Sequence, residues 1–429
     1  MSDSRAERGY GRGAAILSVG IGVTGLVTYA YFSLASHSLS DEAYGGITLL
    51  WSAVFIVVSV LYRPVEQLLS RTISERDARG RTGGEHLRVA ATIQLALGVA
   101  FAVAALALRG PLEDDLFQGS STLYWVLIGA VLSYAASYFA RGFLAGHRRF
   151  ELYGLLVFLE AVSRVLFALA VAVGIAEGQS VVALGVLAAP LFSLVVVPWA
   201  LRRRLSGPAE PAPDAPEGAE GPEFTLAHGT GFAAAVLLIM LAEQTFLNAG
   251  PLLVKATEGD EGAALAGFAF NVLLIARAPL QLFQSIQTSI LPHLTRAQTS
   301  GDEAEFRRAM GVTLRAIAAF AAAVALGLLA FGPWAMELFF GESEEYDRGG
   351  LVLIAVGMGL YLAAATLNQA ALARGLTKQA AACWVGAALA FVGMLLAPGF
   401  DSPILQLEVA YVAGALLLCG LLYGLYRRS

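Results

Sequence analysis

The sequence predicts an all-α integral membrane protein of about 12 transmembrane helices, arranged in two six-helix lobes with both termini in the cytoplasm. Three observations predict this fold: an apolar composition, apolar runs of spanning length, and an alternation of charge along the connections. Hydrophobic residues make up 57% of the 429 residues and charged residues only 14%. Soluble domains carry about a quarter charged residues, so this chain lacks the charge to coat them.

Twelve apolar runs can be read directly from the sequence, and most approach the roughly 20 residues that a spanning helix needs. The first six are Ala14–Ala35, Ala43–Tyr62, Leu87–Leu108, Leu123–Leu144, Tyr153–Ile175 and Val181–Leu201. The others are Phe232–Val254, Ala263–Ile290, Val312–Phe331, Leu351–Leu372, Ala380–Leu396 and Ile404–Tyr426. Because lipid offers backbone groups no hydrogen-bond partner, and the period-two pattern of a membrane barrel is absent, we expect each run to be helical.

Arginine marks every second connection between these predicted spans. The two tails and the even-numbered connections are basic, as at residues 202–204, whereas the odd-numbered connections are acidic, as at residues 113–115. Basic residues remain on the cytoplasmic side of a membrane. The alternation therefore predicts an even number of spans and two cytoplasmic termini.

A proline-, alanine- and glutamate-rich segment divides the chain into two halves. Residues 206–223 read SGPAEPAPDAPEGAEGPE, which predicts a flexible cytoplasmic linker between a lobe of residues 1–205 and a lobe of residues 224–429. Each half contains an arginine shortly before the pattern P-x-[EQ]-x-[LF]-x-S, beginning at Pro64 and at Pro279. Six helices per half is an even number, so the repeat is predicted to be parallel. The two prolines either kink cavity-lining helices or merely bend them.

Four charged residues fall inside the predicted spans: Glu160, Arg164, Glu243 and Arg277. A charge at the bilayer centre costs a few kcal/mol or more, so such residues should face a cavity or one another. Glu160 and Arg164 are four residues apart, and this spacing also suits a structural pair on one helix. For Glu243 and Arg277 we favour a cavity.

The chemistry of these side chains indicates an anionic substrate. The planar guanidinium of arginine donates two hydrogen bonds and stays charged when dehydrated, which suits a diphosphate. We therefore predict substrate contacts from Arg277, Arg164, Asn271 and Asn368. Glu243 and Glu160 are predicted either to pair with these charges or to couple transport to H⁺ or Na⁺.

Several classes of protein find no support in the sequence. Its histidines are scattered without metal-ligand spacing, and the two cysteines, Cys383 and Cys419, lie in predicted helices. It contains no P-loop, no H-E-x-x-H and no G-x-S-x-G motif. We expect no metal, no cofactor, no nucleic-acid partner and no enzymatic activity.

Three segments resemble the polysaccharide flippase branch of the multidrug/oligosaccharidyl-lipid/polysaccharide exporter superfamily. They are Leu39–Gly45 (LSDEAYG), Tyr138–Gly146 (YFARGFLAG), and Ala276–Pro279 (ARAP) with Leu291-Pro292. The resemblance implies a bacterial cytoplasmic (inner) membrane protein with two lobes around a cleft, which flips polyprenyl-diphosphate-linked oligosaccharide by alternating access. It also implies membrane lipids and polysaccharide assembly proteins as partners. Carried over to this chain, it assigns headgroup binding to Arg277 and Arg164.

Other functions stay open at this point. A cation-coupled multidrug exporter of the same superfamily would need the same lobes and a membrane carboxylate. A membrane-embedded glycosyltransferase or polymerase would use outer acidic residues such as Asp41 and Glu42, yet the longest predicted outer loop, about residues 332–350, is short for an acceptor site. A silent scaffold for glycan assembly would tolerate neutralisation of the buried charges.

Overall fold

A computed structural model describes residues 3–78, 84–198, 226–259, 262–277, 303–341 and 346–428. These residues form helices joined by short connections and contain no β-strand. The α-helices are α1 Asp3–Ser38, α2 Asp41–Leu61, α3 Arg63–Ala78, α4 Glu85–Ala107, α5 Ser121–Gly146, α6 Phe150–Ala172 and α7 Gln179–Ser193. They continue with α8 Leu226–Glu258, α9 Gly262–Arg277, α10 Glu303–Phe340, α11 Arg348–Ala373, α12 Thr377–Leu396 and α13 Pro403–Arg428.

The structure confirms the predicted multi-pass helical membrane architecture. In the described part of the chain, ten helical stretches are long and apolar enough to cross a membrane, counting α2 and α3 together as Asp41–Asp77. α1 includes the first predicted run, and the shorter apolar helix α9 includes the first part of the predicted run Ala263–Ile290, whose remainder lies outside the described residues. The internal repeat and the cytoplasmic position of the termini stay predictions.

The chain folds into two compact units. Unit 1 comprises residues 1–31 and 54–231, and unit 2 comprises residues 32–53 and 232–429. The end of α1 and the first half of α2 thus pack with the second half of the sequence. The predicted linker at residues 206–223 lies outside the described residues, and the predicted division into two six-helix lobes stays a prediction.

Unit 1 is organised around α5, which packs against α3, α4, α6 and α7. Small residues permit these close contacts. A Cβ atom on Gly142 would lie 2.9 Å from the backbone oxygen of Glu66, and one on Gly146 would lie 2.7 Å from Ile73 Cβ. Glycine lets helices in lipid approach closely, so these two positions bring α5 against α3.

Unit 2 is organised around α11, which packs mainly against α10 and α13. Its core contains an aromatic cluster centred on Phe246 of α8. The Phe246 ring is stacked on Phe391 at a centroid distance of 5.1 Å and makes edge contacts with Trp384 and Tyr411. Such pairs contribute about 0.5–1.5 kcal/mol each beyond burial, so this cluster ties α8 to α12 and α13.

Large apolar side chains cover the outer surface of these helices. In α10, only 6% of the most apolar window is buried, and Leu326, Phe331 and Trp334 are more than half exposed. Extensive exposed apolar surface marks contact with a membrane or a partner. This exposed apolar surface is typical of helices that are surrounded by lipid.

The helical path breaks where the sequence places a proline. α2 ends at Leu61 and α3 begins at Arg63, so only Tyr62 separates them, and Pro64 occupies the first turn of α3. Proline lacks an N–H and clashes with the preceding turn, which accounts for an interruption at this point. The corresponding Pro279 lies outside the described residues.

Candidate functional site

Unit 1 contains a buried cluster of polar side chains around Glu160, which we call the Glu160 network: Ser137, Arg141, Glu160 and Ser193. Arg141 Nη2 forms an ion pair with Glu160 Oε2, and the Ser137 hydroxyl donates to Oε1. Ser193 Oγ lies 3.4 Å from the same oxygen and donates to the Pro190 carbonyl at 2.7 Å. The side chain of Glu160 is only 2% exposed and that of Arg141 12% exposed. Three helices, α5, α6 and α7, therefore converge on one carboxylate.

Arg164 lies one turn beyond Glu160 in α6 and is 4% exposed. Its Nη1 donates to the hydroxyl of Tyr134 in α5 at 2.8 Å. Arg164 also interacts electrostatically with Tyr31 of α1, whose hydroxyl donates to the Val182 carbonyl at 3.2 Å. Glu160 therefore forms its ion pair with Arg141 of the neighbouring helix α5. Arg164, four residues further along α6, donates to the Tyr134 hydroxyl.

A second carboxylate lies beside the Glu160 network. Glu66 of α3 accepts a hydrogen bond of 2.9 Å from the Tyr153 hydroxyl of α6. Arg141 interacts electrostatically with both Glu66 and Glu160, and its guanidinium lies 4.5 Å from the centre of the Tyr138 ring. One arginine is therefore shared by two acidic side chains from different helices.

Unit 2 contains a shorter series of hydrogen-bonded polar side chains, which includes Arg277. Arg277 Nη1 donates to Asn248 Oδ1 at 3.4 Å, and Asn248 Nδ2 donates to Gln244 Oε1 at 2.8 Å. Gln244 and Asn248 are four residues apart in α8 and about 5% exposed. They lie on one face of that helix. The Asn248 amide on this face contacts Arg277, the last residue of α9.

The other predicted residues of unit 2 lie at separate places. Asn271 of α9 is 3% exposed, and its Oδ1 accepts a hydrogen bond of 2.5 Å from the Tyr44 hydroxyl of α2. Asn368 of α11 is 6% exposed, and its Oδ1 has no hydrogen-bond partner among the residues that the structure describes. Glu243 is half-buried in α8, directly before Gln244.

Sequence reasoning missed the residues that hold these charges in place. Arg141 stands in the YFARGFLAG segment, yet its partner on α6 could not be read from spacing along one helix. Glu66 was visible only as part of a repeated pattern. Glu408 is 5% exposed in α13, and a Cβ atom on Gly350 would lie 2.1 Å from its Oε1. Glu408 could have been noticed in the sequence, because it is a carboxylate four residues after the start of the apolar run Ile404–Tyr426.

The geometry allows anion binding and charge pairing. Arg277 and Arg164 make their stated hydrogen bonds to neutral amide and hydroxyl groups, which do not cancel the charge of a guanidinium. Arg141 instead has a carboxylate partner. Among the described residues, no three His, Cys, Asp or Glu side chains are grouped as a metal site would require.

Known proteins resemble this chain along nearly its whole length. No protein-family model matches the sequence. An uncharacterized protein of Mycobacterium tuberculosis, Rv3630, is 27% identical over 416 residues, covering 94% of this chain and 88% of that protein. An uncharacterized protein of Mycobacterium bovis, Mb3654, matches to the same extent.

Several solved transporter structures have a similar fold. A multidrug resistance MATE family transporter of the MOP superfamily, in an inward-facing conformation, superposes with a TM-score of 0.69 at 15% identity, covering 96% of this chain and 97% of that one. An outward-facing MATE structure gives 0.66 at 14% identity, with coverages of 97% and 94%. The MATE transporter VcmN of Vibrio cholerae gives 0.59 at 16% identity, with the same coverages. The protein has a MATE-like fold.

Proposed function

We propose that this protein is a membrane transporter that works by alternating access and flips a polyprenyl-diphosphate-linked oligosaccharide between leaflets. The observation that carries the proposal is a MATE-like fold over nearly the whole chain, combined with Arg164, which is buried in unit 1, and Arg277, which is partly buried in unit 2. Structures of this fold are known in inward-facing and outward-facing conformations. A fold with two such conformations suits a transporter that exposes one site to each side of the membrane in turn.

The arginines support an anionic substrate. Arg164 of unit 1 is buried and donates to the Tyr134 hydroxyl, and Arg277 of unit 2 is partly buried and donates to the Asn248 amide. Guanidinium groups bind phosphate oxygens through paired hydrogen bonds. A diphosphate linker between a lipid and a glycan offers the matching charge, and Asn271 and Asn368 add amides that suit sugar hydroxyls.

The carboxylates support coupling to a cation. Glu160 is held by Arg141 and Ser137, and this arrangement depends on its negative charge. Binding of H⁺ to Glu160 would release Arg141 from its ion pair. Glu243 is a second candidate, because it lies beside the Gln244 and Asn248 amides that hold Arg277.

A cation-coupled multidrug exporter is the second candidate function. The solved structures of this fold include a multidrug resistance transporter, and a membrane carboxylate such as Glu160 or Glu408 would suit a cationic drug. The two candidates differ in the charge of their substrates, so loss of Arg277 should stop the flippase and spare an exporter of cationic drugs.

Depletion of the protein in its native host, followed by lipid extraction and mass spectrometry, tests the proposal. We expect polyprenyl-diphosphate glycans to accumulate while surface polysaccharide falls. Complementation with Arg277→Ala should restore transport to no more than about a tenth, since a hydrogen bond to a charged group contributes about 1.5–3 kcal/mol. Arg277→Lys keeps the charge and serves as the matched control. Full complementation by a well-folded Arg277→Ala protein would contradict the assigned role of this arginine.

A further inference from the structure

A basic cavity lies at one end of unit 2, where α11 and α13 end and α10 begins. Its volume is about 870 Å³, and its walls include Arg307, Arg374, Arg427 and Arg428 together with Tyr423 and Tyr426. Among the described residues that line it, none is acidic. Ligand sites commonly occupy about 300–1,000 Å³, so the cavity has the size of a small-molecule or headgroup site.

The arginines are arranged by the aromatic side chains of this region. The guanidinium of Arg374 lies 4.9 Å from the ring centres of both Phe306 and Tyr426, and its Nη1 donates to the Tyr426 carbonyl at 3.2 Å. Arg427 lies 6.0 Å from the centre of the Tyr423 ring. Cation–π contacts orient a guanidinium without neutralising it. The site is therefore built in advance of any ligand.

The positive charge exceeds what the helix ends require. Arginine near a helix C-terminus complements the macrodipole, but each terminus carries only about half an elementary charge. The C-terminus of α13 accounts for about half a negative charge against Arg427 and Arg428, which are both exposed at its end. The remaining positive charge attracts an anion.

We infer that this cavity binds the headgroup of an anionic membrane phospholipid. Met310 and Leu314 of α10 add apolar wall beside the arginines, as a ligand with a phosphate and an acyl chain requires. The cavity lies at the ends of membrane-spanning helices, and the predicted orientation puts it on the cytoplasmic face. Basic pockets between helices on that side bind anionic headgroups. The inference is independent of the transported substrate.

Native mass spectrometry of the purified protein tests this site, with phosphatidylglycerol and phosphatidylcholine compared as added lipids. We expect preferential retention of phosphatidylglycerol, and about fivefold weaker retention for each arginine removed. The first variant is Arg427→Gln/Arg428→Gln, whose side chains are exposed near the end of the chain. The second is Arg374→Gln. The matched control is Arg88→Gln, an exposed arginine of α4 in unit 1.

The outcomes distinguish a lipid headgroup site from a site for free phosphate and from arginines that only complement helix ends. Selective loss of phosphatidylglycerol in the two cavity variants, with the Arg88→Gln protein unchanged, supports the inference. Equal retention of both lipids by the wild-type protein would overturn it. So would displacement of phosphatidylglycerol by an equal concentration of inorganic diphosphate, because the cavity would then recognise free phosphate. Unchanged retention in folded cavity variants would show that the arginines serve only the helix ends.

Discussion

At the scale of single residues, the protein's chemistry depends on how it holds charge in an apolar interior. Glu160 is nearly inaccessible, yet Arg141, Ser137 and Ser193 surround its carboxylate. A buried ion pair gains little over an apolar pair of the same shape, but loss of one partner leaves a costly uncompensated charge. The stabilities contributed by Glu160 and Arg141 are therefore coupled, and replacement of either residue alone should destabilise the protein.

We predict that Glu160→Gln destabilises the protein by about 3–5 kcal/mol, because Arg141 then loses its ion-pair partner and keeps only the longer-range attraction of Glu66. Glu160→Gln combined with Arg141→Gln should cost less than either single change. Unfolding of the three variants in detergent, followed by circular dichroism, measures this coupling. Additive losses in the double variant would mean that the ion pair does not hold the two side chains together. The corresponding replacements in the exposed pair, Arg71→Gln and Glu75→Gln, should each change the free energy of unfolding by less than about 1 kcal/mol.

At the scale of helices, glycine determines which helices can pack closely against each other. Gly45 of α2 lies against the backbone of α9, and a Cβ atom there would fall 1.9 Å from the Ala263 oxygen. Gly267 of α9 is similarly close to the Gly45 backbone. Within unit 2 these two helices cross at paired glycines. The Tyr44–Asn271 hydrogen bond spans the same crossing.

We predict that Gly45→Ala destabilises unit 2 by about 1–3 kcal/mol, because an added methyl group in a packed contact forces the backbones apart. Gly386→Ala in α12 is the matched control, since a Cβ atom there meets nothing within 4 Å. The control should be neutral or slightly stabilising. The midpoint of thermal unfolding of both variants in detergent measures the difference. Equal midpoints would show that the α2–α9 crossing tolerates a larger separation.

At the scale of the whole molecule, the apolar composition and the length of the apolar runs predicted the all-helical architecture, because lipid permits so few ways to satisfy backbone hydrogen-bonding groups. Apolar runs placed the helices, and Pro64 marked the break between α2 and α3. The partners of Arg141 and Glu160 could not be predicted, since they come from different helices and depend on how α5 and α6 pack. Arg164 and Glu160 have the spacing of a pair, yet tertiary contacts give Glu160 another arginine. Glu408 shows that a charge near the end of an apolar run is easily overlooked.

Reconstitution of the purified protein into vesicles tests the central claim most directly. The vesicles carry a polyprenyl-diphosphate saccharide, and a membrane-impermeant glycan-modifying reagent reports how much of it reaches the opposite leaflet. We predict rapid equilibration across the membrane with the wild-type protein, and at least about tenfold slower equilibration with Arg277→Ala. Equilibration no faster than in protein-free vesicles, together with uptake of a cationic drug by the same preparation, would contradict the flippase account and favour the multidrug exporter.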